Sequence, residues 1–323
     1  MFSDSIIYTI LAAYILDIIL GDPRRLPHPV VLMGNAISFF EPVFRALIKN
    51  QFIAGLFFAL FLICSAWGIA FGVINTAHTI HPFAGIAANV VLMFFCLSAR
   101  TLERAASEVK NAFNKRASDK GLEAARFKVS MIVGREVKYL DETGVVKAAV
   151  ETVAENFVDG FLSPIFFAVV GGVPAAVAYK MINTLDSMVG YKNDKYILFG
   201  RASARIDDIA NFIPARISVV IISTAAALLS LKRGISSLKT AFYEGRDHKS
   251  PNSGYPEAAF AGALQVKLGG ANYYHGTLVE KPYIGKRFGN PAIGTITMAC
   301  ELMLFSSLIS IFVLLIFQVL SLI

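Results

Sequence analysis

Two stretches of this chain carry almost no charge over the length needed to cross a bilayer, and that fixes the solvent first. A helix needs about 20 apolar residues to span. Phe52–Ile74 is uncharged throughout, and Met298–Ile323 carries only Glu301. The chain is 55% hydrophobic and 16% charged over 323 residues. An average soluble domain carries about 25% charge, so the runs belong to a membrane protein rather than to a water-soluble core. Gly and Pro show no period, which excludes collagen. Cys64, Cys96 and Cys300 lie in apolar runs and form no CxxC, so they read as small buried hydrophobes. The net charge of +7, with basic residues near span ends, suits the positive-inside rule better than nucleic acid.

Other segments are less regular. Phe83–Ala99 is about long enough to cross, and with Phe52–Ile74 it forms a helical hairpin around the short polar turn Asn75–Pro82. Ile217–Leu231 reaches spanning length only if Ile209–Ile213 joins it, with a kink expected at Pro214. Ser5–Leu20 is shorter and carries Asp17. Phe161–Met181 is interrupted by Ser163-Pro164 and by Gly171-Gly172-Val173-Pro174, so it either crosses or re-enters. The N-terminal run lacks a basic flank and a cleavage site, and reads as retained. Arg100–Leu140 has the apolar spacing of an amphipathic helix. The expected fold is all-α: a polytopic integral membrane protein with five or six membrane helices and cytoplasmic helical or loop segments. It reads as one membrane-embedded domain over residues 1–323, with the site carried by 100–160, 182–208 and 232–297. Arg100–Gly160 holds eleven Lys and Arg and Lys232–Thr297 holds nine, while Asn75–Pro82 has none. The two long segments are therefore expected in the cytoplasm and the short turn outside.

Five polar clusters adjoin the apolar runs. Gly21-Asp22-Pro23 with Leu26-Pro27-His28-Pro29 makes a rigid turn that presents Asp22 and His28. Lys147, Glu151, Glu155 and Asp159 are spaced by four on a helix that is otherwise mostly Ala and Val. Two like charges there call for a cation, either a divalent metal or a substrate amine. Asn183, Asp186 and Ser187 share a face between Lys180 and Lys192. Asp207 and Asp208, with Asn211 one turn on, are good oxygen ligands for Mg2+. Arg201 and Arg205, four apart, suit a phosphate or carboxylate, and Arg216 follows Pro214. Glu244–Ala259, with His248 and Asn252, is a polar turn-rich loop suited to wrapping a large ligand. GxxxxGK[ST], HExxH and GxSxG are all missing.

At these same clusters the sequence resembles the CobD/CbiB family of adenosylcobinamide-phosphate synthases. The likeness runs through Gly21-Asp22-Pro23, His28-Pro29, Gly134-Arg135-Glu136, Glu151-Thr152-Val153-Ala154-Glu155-Asn156 and Asn183-Thr184-Leu185-Asp186-Ser187-Met188. It continues through Gly190-Tyr191-Lys192, Phe199-Gly200, Ser203-Ala204-Arg205-Ile206-Asp207-Asp208, Pro214-Ala215-Arg216 and Ser250–Ala258. Glu136 stands where Asp is common.

The resemblance implies cobalamin biosynthesis. The family joins (R)-1-amino-2-propanol or its O-phosphate, as an amide, to the free propionate of adenosylcobyric acid. ATP is the implied cosubstrate, Mg2+ the implied metal, and an acyl phosphate the implied intermediate. The expected partners are those substrates, membrane lipid and other cobalamin-assembly membrane enzymes, with no nucleic acid. The expected location is the cytoplasmic membrane. Glu151, Glu155, Asp186 and His28 are the catalytic candidates. Arg135, Lys180, Lys192, Arg201, Arg205, Arg216, His248 and Asn252 are the substrate and phosphate contacts. Glu151, Glu155, Asp207 and Asp208 are the candidate metal ligands. A transporter, which would show inverted repeats and a midplane site, and a non-catalytic membrane scaffold are the rival readings.

Overall fold

A computed structural model describes residues 2–22, 28–113, 118–274 and 277–321. The Pro23–Pro27 part of the first polar cluster lies outside the described residues, as do Lys115 and Arg116. The helices are α1 (Phe2–Leu20), α2 (Pro29–Leu47), α3 (Gln51–Ile80), α4 (Pro82–Cys96), α5 (Ala99–Phe113), α6 (Ser118–Ser130) and α7 (Glu142–Phe157). A π-helical turn, Val158–Leu162, leads into α8 (Ser163–Val189). Then come α9 (Arg201–Ala210), α10 (Phe212–Leu229), α11 (Leu231–Glu244), α12 (Gly254–Leu264) and α13 (Gly294–Ser321). Two antiparallel strand pairs stand between α12 and α13: β1 (Leu268–Gly269) with β4 (Tyr283–Ile284), and β2 (Asn272–Tyr274) with β3 (Thr277–Val279).

Among the described residues six helical stretches are long and apolar enough to cross a membrane: Pro29–Leu47, Gln51–Ile80, Pro82–Phe113, Glu142–Val189, Phe212–Leu229 and Gly294–Leu320. Ile6–Leu20 is a shorter apolar helix. The protein is an all-α multi-pass membrane protein, as its apolar runs require. The chain gathers into two compact units. One comprises Met1–Ser98, Asp159–Asn211 and Leu314–Ile323, the other Ala99–Val158 and Phe212–Val313.

In the first unit the turn between α3 and α4 is shorter than the sequence suggests. Helix continues to Ile80, and His81 alone caps both helices, its Nδ1 accepting from the Phe83 N–H at 3.2 Å. Helix α2 was not among the expected spans because Glu41, Pro42 and Arg45 break its apolar run. The structure neutralises the charges on one another: Arg45 Nε donates to Glu41 Oε1 at 2.9 Å. Tyr196 Oη donates to Glu41 Oε2 at 3.2 Å, and Arg45 donates to the Lys195 carbonyl at 2.9 Å.

Helix α8 re-enters. Gly171 (φ −140°, ψ 18°) and Gly172 (φ 76°, ψ 179°) leave helical geometry and split it into arms of residues 163–170 and 173–189. Gly172 stands in the left-handed region that favours glycine. The arms lie antiparallel. Asn183 Nδ2 donates to Asp159 Oδ2 at 3.3 Å, Ser163 and Tyr179 both donate to Asn211 Oδ1, and the Phe167 and Tyr179 rings stack at 5.1 Å. The first arm starts at the end of α4, where Ser98 N donates to the Gly160 carbonyl at 2.9 Å. The second arm ends against Gly200, while Phe199 abuts Gly55 in the first turns of α3. Both ends therefore sit at the α3 start and α4 finish. The tip points the other way, lining a cavity of about 820 Å3 with Trp67, Phe71, Ile74 and His78 of α3. The basic segment Asn183–Asp208, with Lys192, Lys195, Arg201 and Arg205, thus lies at the same end as Ser98, the end the positive-inside rule assigns to the cytoplasm.

Two further expectations change. No kink forms at Pro214: Asn211 ends α9, and Pro214 sits in the first turn of α10, where its missing N–H costs no helical bond. Arg100–Leu140 is not one helix but α5 and α6 followed by turns. In the second unit α12 is buried along its whole length, against α7, α10 and α11. This unit brings Arg100–Gly160 and Lys232–Thr297 together: Lys110 Nζ donates to Thr297 Oγ1 at 3.0 Å and Gly269 N to Glu151 Oε1 at 2.7 Å.

Candidate functional site

A charged cluster in the second unit starts on α7. Asp141 caps that helix, its carboxylate accepting from the Gly144 N–H at 2.7 Å. Val145, Val146, Ala148, Ala149, Val150, Val153 and Ala154 are buried, so Glu151 and Glu155 are the acids this packed helix projects. Glu151 Oε2 is paired with Arg135, and both side chains are buried. Its other oxygen takes the Gly269 N–H. Gly269 has φ +74°, and a Cβ there would lie 2.4 Å from the Pro282 carbonyl, so only glycine presents that N–H. Both Glu151 oxygens are thus engaged. Glu155, one turn on, is exposed to solvent and lies in the field of Lys281, Arg135 and Glu151.

The third acid comes from α12. Glu257 sits in the first turn of α12, buried. Burial, and then the charges of Glu151 and Glu155, push its carboxyl well above the usual range. His248 Nδ1 accepts from Ser250 N at 3.1 Å, so the ring proton is on Nε2, which lies 4.0 Å from Glu257 Oε1. Burial, and then the positive charge of Lys281, lowers the His248 pKa to about 4. This is a neutral imidazole facing a carboxyl held toward its protonated form, not an ion pair. Arg216 fixes the loop. It donates to Asn252 Oδ1 at 2.8 Å and to the Pro251 carbonyl at 3.1 Å, and stacks over the Tyr255 ring at 4.4 Å. Arg216 and Asn252 therefore hold each other.

The first unit holds the other candidates. His28 caps α2, its Nδ1 accepting from Val30 N at 3.2 Å, with Nε2 3.4 Å from Asp22 and the ring edge-on to Phe95. Lys180 is half-buried and lies in the fields of Cys96, Asp159 and Asp22. The Asp186 carbonyl accepts the Gly190 N–H at 2.8 Å and so closes α8. Asp207 Oδ2 accepts from Asn211 Nδ2 at 3.0 Å. Asp208 lies 3.9 Å from Arg205, and burial raises its carboxyl against the pull of Arg205 and Lys192. Arg201, Arg205 and Lys192 are exposed, Arg201 over the Phe52 ring at 5.9 Å.

Among the described residues no three His, Cys, Asp or Glu side chains form a ready metal site. Of the four metal candidates, Glu151 and Glu155 fall in one unit and Asp207 and Asp208 in the other. Mg2+ needs little from protein, one or two carboxylates with phosphate oxygens and water. With Glu151 taken up by Arg135 and Gly269, Glu155 and Glu257 are the pair that fits. Their mutual repulsion on a buried carboxyl is what a divalent cation relieves. Glu257 and Lys281 were absent from the expected site. Glu257 stands inside the Ser250–Ala258 motif, so a signal existed, whereas nothing in Glu280-Lys281-Pro282 marks the lysine.

A family model described as CobD/Cbib protein matches residues 10–303. The chain belongs to that family. It is 46% identical over 276 residues, 85% of each chain, to "Cobalamin biosynthesis protein CobD" of Geobacter metallireducens. It is 44% identical to the protein of the same name from Klebsiella pneumoniae, covering 90% of this chain and 91% of that one. To "Cobalamin biosynthesis protein CbiB" of Salmonella typhimurium the identity is 42% over 301 residues, 91% of this chain and 93% of that one. No solved structure matches the chain.

Proposed function

We propose that this member of the CobD/Cbib family acts in cobalamin biosynthesis as an ATP-dependent amide ligase of the cytoplasmic membrane. It joins (R)-1-amino-2-propanol or its O-phosphate to the free propionate of adenosylcobyric acid. The observation that carries the reading is the grouping of Glu155, Glu257, Arg135, Lys281 and His248 in the second unit. These are acids suited to a nucleotide-bound cation beside bases suited to phosphate.

A carboxylate does not form an amide unaided. One propionate oxygen attacks the γ-phosphorus of ATP and ADP leaves with the bridging oxygen. The amine then attacks the acyl phosphate, phosphate leaves, and the amine proton passes to a carboxylate of the cluster. Glu155 and Glu257 would hold Mg2+, which when bound offsets the charge of the nucleotide phosphates. Arg135 and Lys281 stabilise charge on the phosphoryl oxygens. Arg135 is itself fixed by Glu151, and Glu151 by Gly269. His248 stands beside Glu257 as a neutral group, its Nε2 4.0 Å from that carboxyl.

The test uses the full chain in detergent with adenosylcobyric acid, aminopropanol phosphate, ATP and Mg2+. Expected are the amide by mass and one ADP per amide, with 18O from labelled propionate appearing in phosphate. ADP without amide, amide without ADP, or phosphate free of 18O would each overturn the scheme.

A further inference from the structure

Helix α10 is long and apolar enough to span, yet its surroundings argue otherwise. It forms a tight antiparallel hairpin with α11. Ser223 Oγ donates to Ser237 Oγ at 3.0 Å, and Gly234 lies so close to Ala227 that a Cβ would come within 2.4 Å of it. At the open end Arg216 of α10 holds the loop that follows α11. The chain therefore returns to the side it left. Helix α11 has 14 residues, about 21 Å at the helical rise, too short for a hydrocarbon core of about 30 Å. It also carries Lys232, Arg233 and Lys239.

Two contacts gauge the depth. At the tip, Ala226, Leu229 and Arg233 line a small cavity with Met298, Glu301, Leu302 and Phe305 of α13. Those residues lie about 6 to 17 Å from Gly294 along a helix about 42 Å long. The start of α13 is tied to α5, through Lys110 and Thr297. The tip thus reaches only the near end of that span. Midway along α11, Arg287 donates to Ser236 Oγ at 3.2 Å and to Thr240 Oγ1 at 2.9 Å. A polar loop accompanies α11 where a membrane helix would meet acyl chains.

The outer face is still apolar. Leu231, Ile235, Leu238 and Phe242 form one exposed stripe, with Leu231 70% and Phe242 71% exposed, and Val220 and Leu228 of α10 are exposed too. The opposite face is small and buried: Gly234, Ser237, Thr240 and Ala241, with Ser237 Oγ donating to the Ala259 carbonyl. Lys232 and Lys239 are exposed beside the stripe. The acid at the end of α11, Glu244, is engaged by the Gly285 and Lys286 N–H groups. An apolar stripe edged with lysine is the pattern of a helix lying in the membrane interface.

We propose that α10 and α11 form an interfacial hairpin rather than a span. It lies flat in the leaflet on the side of Arg100–Gly160, its stripe among the upper acyl chains and Lys232 and Lys239 against anionic lipid phosphates.

The test places a single Trp in the full-length protein, with Trp67→Phe as background, in nanodiscs of brominated lipid. In Val220→Trp, at the middle of α10, and in Phe242→Trp, lipid brominated at carbons 6 and 7 quenches more than lipid brominated at carbons 11 and 12. A span puts Val220 at the bilayer centre. Stronger quenching of Val220→Trp by the deeper bromines, or no quenching of either variant, would overturn the hairpin. For the charge pairing, brominated phosphatidylglycerol diluted in plain phosphatidylcholine quenches Phe242→Trp about twofold more than equally diluted brominated phosphatidylcholine. Lys232→Gln with Lys239→Gln abolishes the excess. Equal quenching by the two lipids in the unsubstituted hairpin would overturn the pairing with anionic headgroups.

Discussion

Glu151 and Glu155 sit one turn apart on α7 and read alike in sequence, yet the structure separates their roles, and glutamine at each position tests the separation. Glu151 is a buried strut. Its side chain is 7% exposed and Arg135 is 8% exposed, and its second oxygen holds the Gly269 N–H. Glu151→Gln leaves Arg135 buried without its counter-charge. Breaking a buried pair from one side costs about 3–5 kcal/mol. At roughly 2–4 °C per kcal/mol for a unit of this size, the Tm falls by about 6–20 °C. Glu155 is open to solvent, where substitutions cost within about 0.5 kcal/mol. Glu155→Gln should shift the Tm by no more than about 2 °C and lower turnover per folded molecule about 100-fold or more, as loss of an electrostatic catalytic group does. High Mg2+ should restore part of it. The assay is thiol-dye unfolding in detergent with Cys64→Ser and Cys96→Ala, where buried Cys300 reports the second unit, alongside amide formation by mass. Adding Arg135→Gln to Glu151→Gln should recover part of the lost Tm, since no buried charge is then orphaned. Near-normal turnover in Glu155→Gln, or an unmoved Tm in Glu151→Gln, would refute the division.

Three further outcomes follow from the same geometry. Gly269→Ala forces a side chain into the left-handed region against the Pro282 carbonyl, and at a strain of about 1–3 kcal/mol it should lower the Tm measurably and turnover with it. With Cys64→Ser as background, Asn193→Cys and Thr79→Cys should react with an impermeant maleimide from opposite faces of the membrane, because α8 returns to the side of Ser98; reaction from one face would refute the re-entrant hairpin. Arg205→Lys keeps the charge but loses the fork, and should raise KM for one phosphorylated substrate while leaving kcat within about twofold; unchanged KM for both would remove Arg205 from substrate binding.

The fold was legible where one residue type repeats along a helix and illegible where distant residues cancel. Phe52–Ile74 and Met298–Ile323 announce themselves by the absence of charge. Gly171-Gly172-Val173-Pro174 announces a break, because glycine at positive φ and a proline have few other uses inside an apolar run. Whether the broken helix crosses or returns depends on the Asn183–Asp159 bond and the Phe167–Tyr179 stack. Those pairs lie across the break, and no local pattern encodes them. The same holds for α2. Its hydropathy is spoiled by Glu41 and Arg45 only until their ion pair is known.

The site was half legible for a related reason. Sequence spacing shows which acids share a helix face, and so it found Glu151 and Glu155. It cannot show which acid another segment has already claimed. Arg135 arrives from a turn 16 residues upstream and Gly269 from 118 residues downstream. Together they convert Glu151 from a free carboxylate into a support. Glu257 takes its place because α12 is buried along its whole length, which brings a first-turn acid into the fields of Glu151 and Glu155 with a neutral His248 rather than a cation nearest it. A carboxyl buried in the fields of two other acids is costly to a structure that only needs to fold. Its presence in the same unit as Lys281, Arg135 and the exposed Glu155 is why the proposed chemistry is read on the second unit.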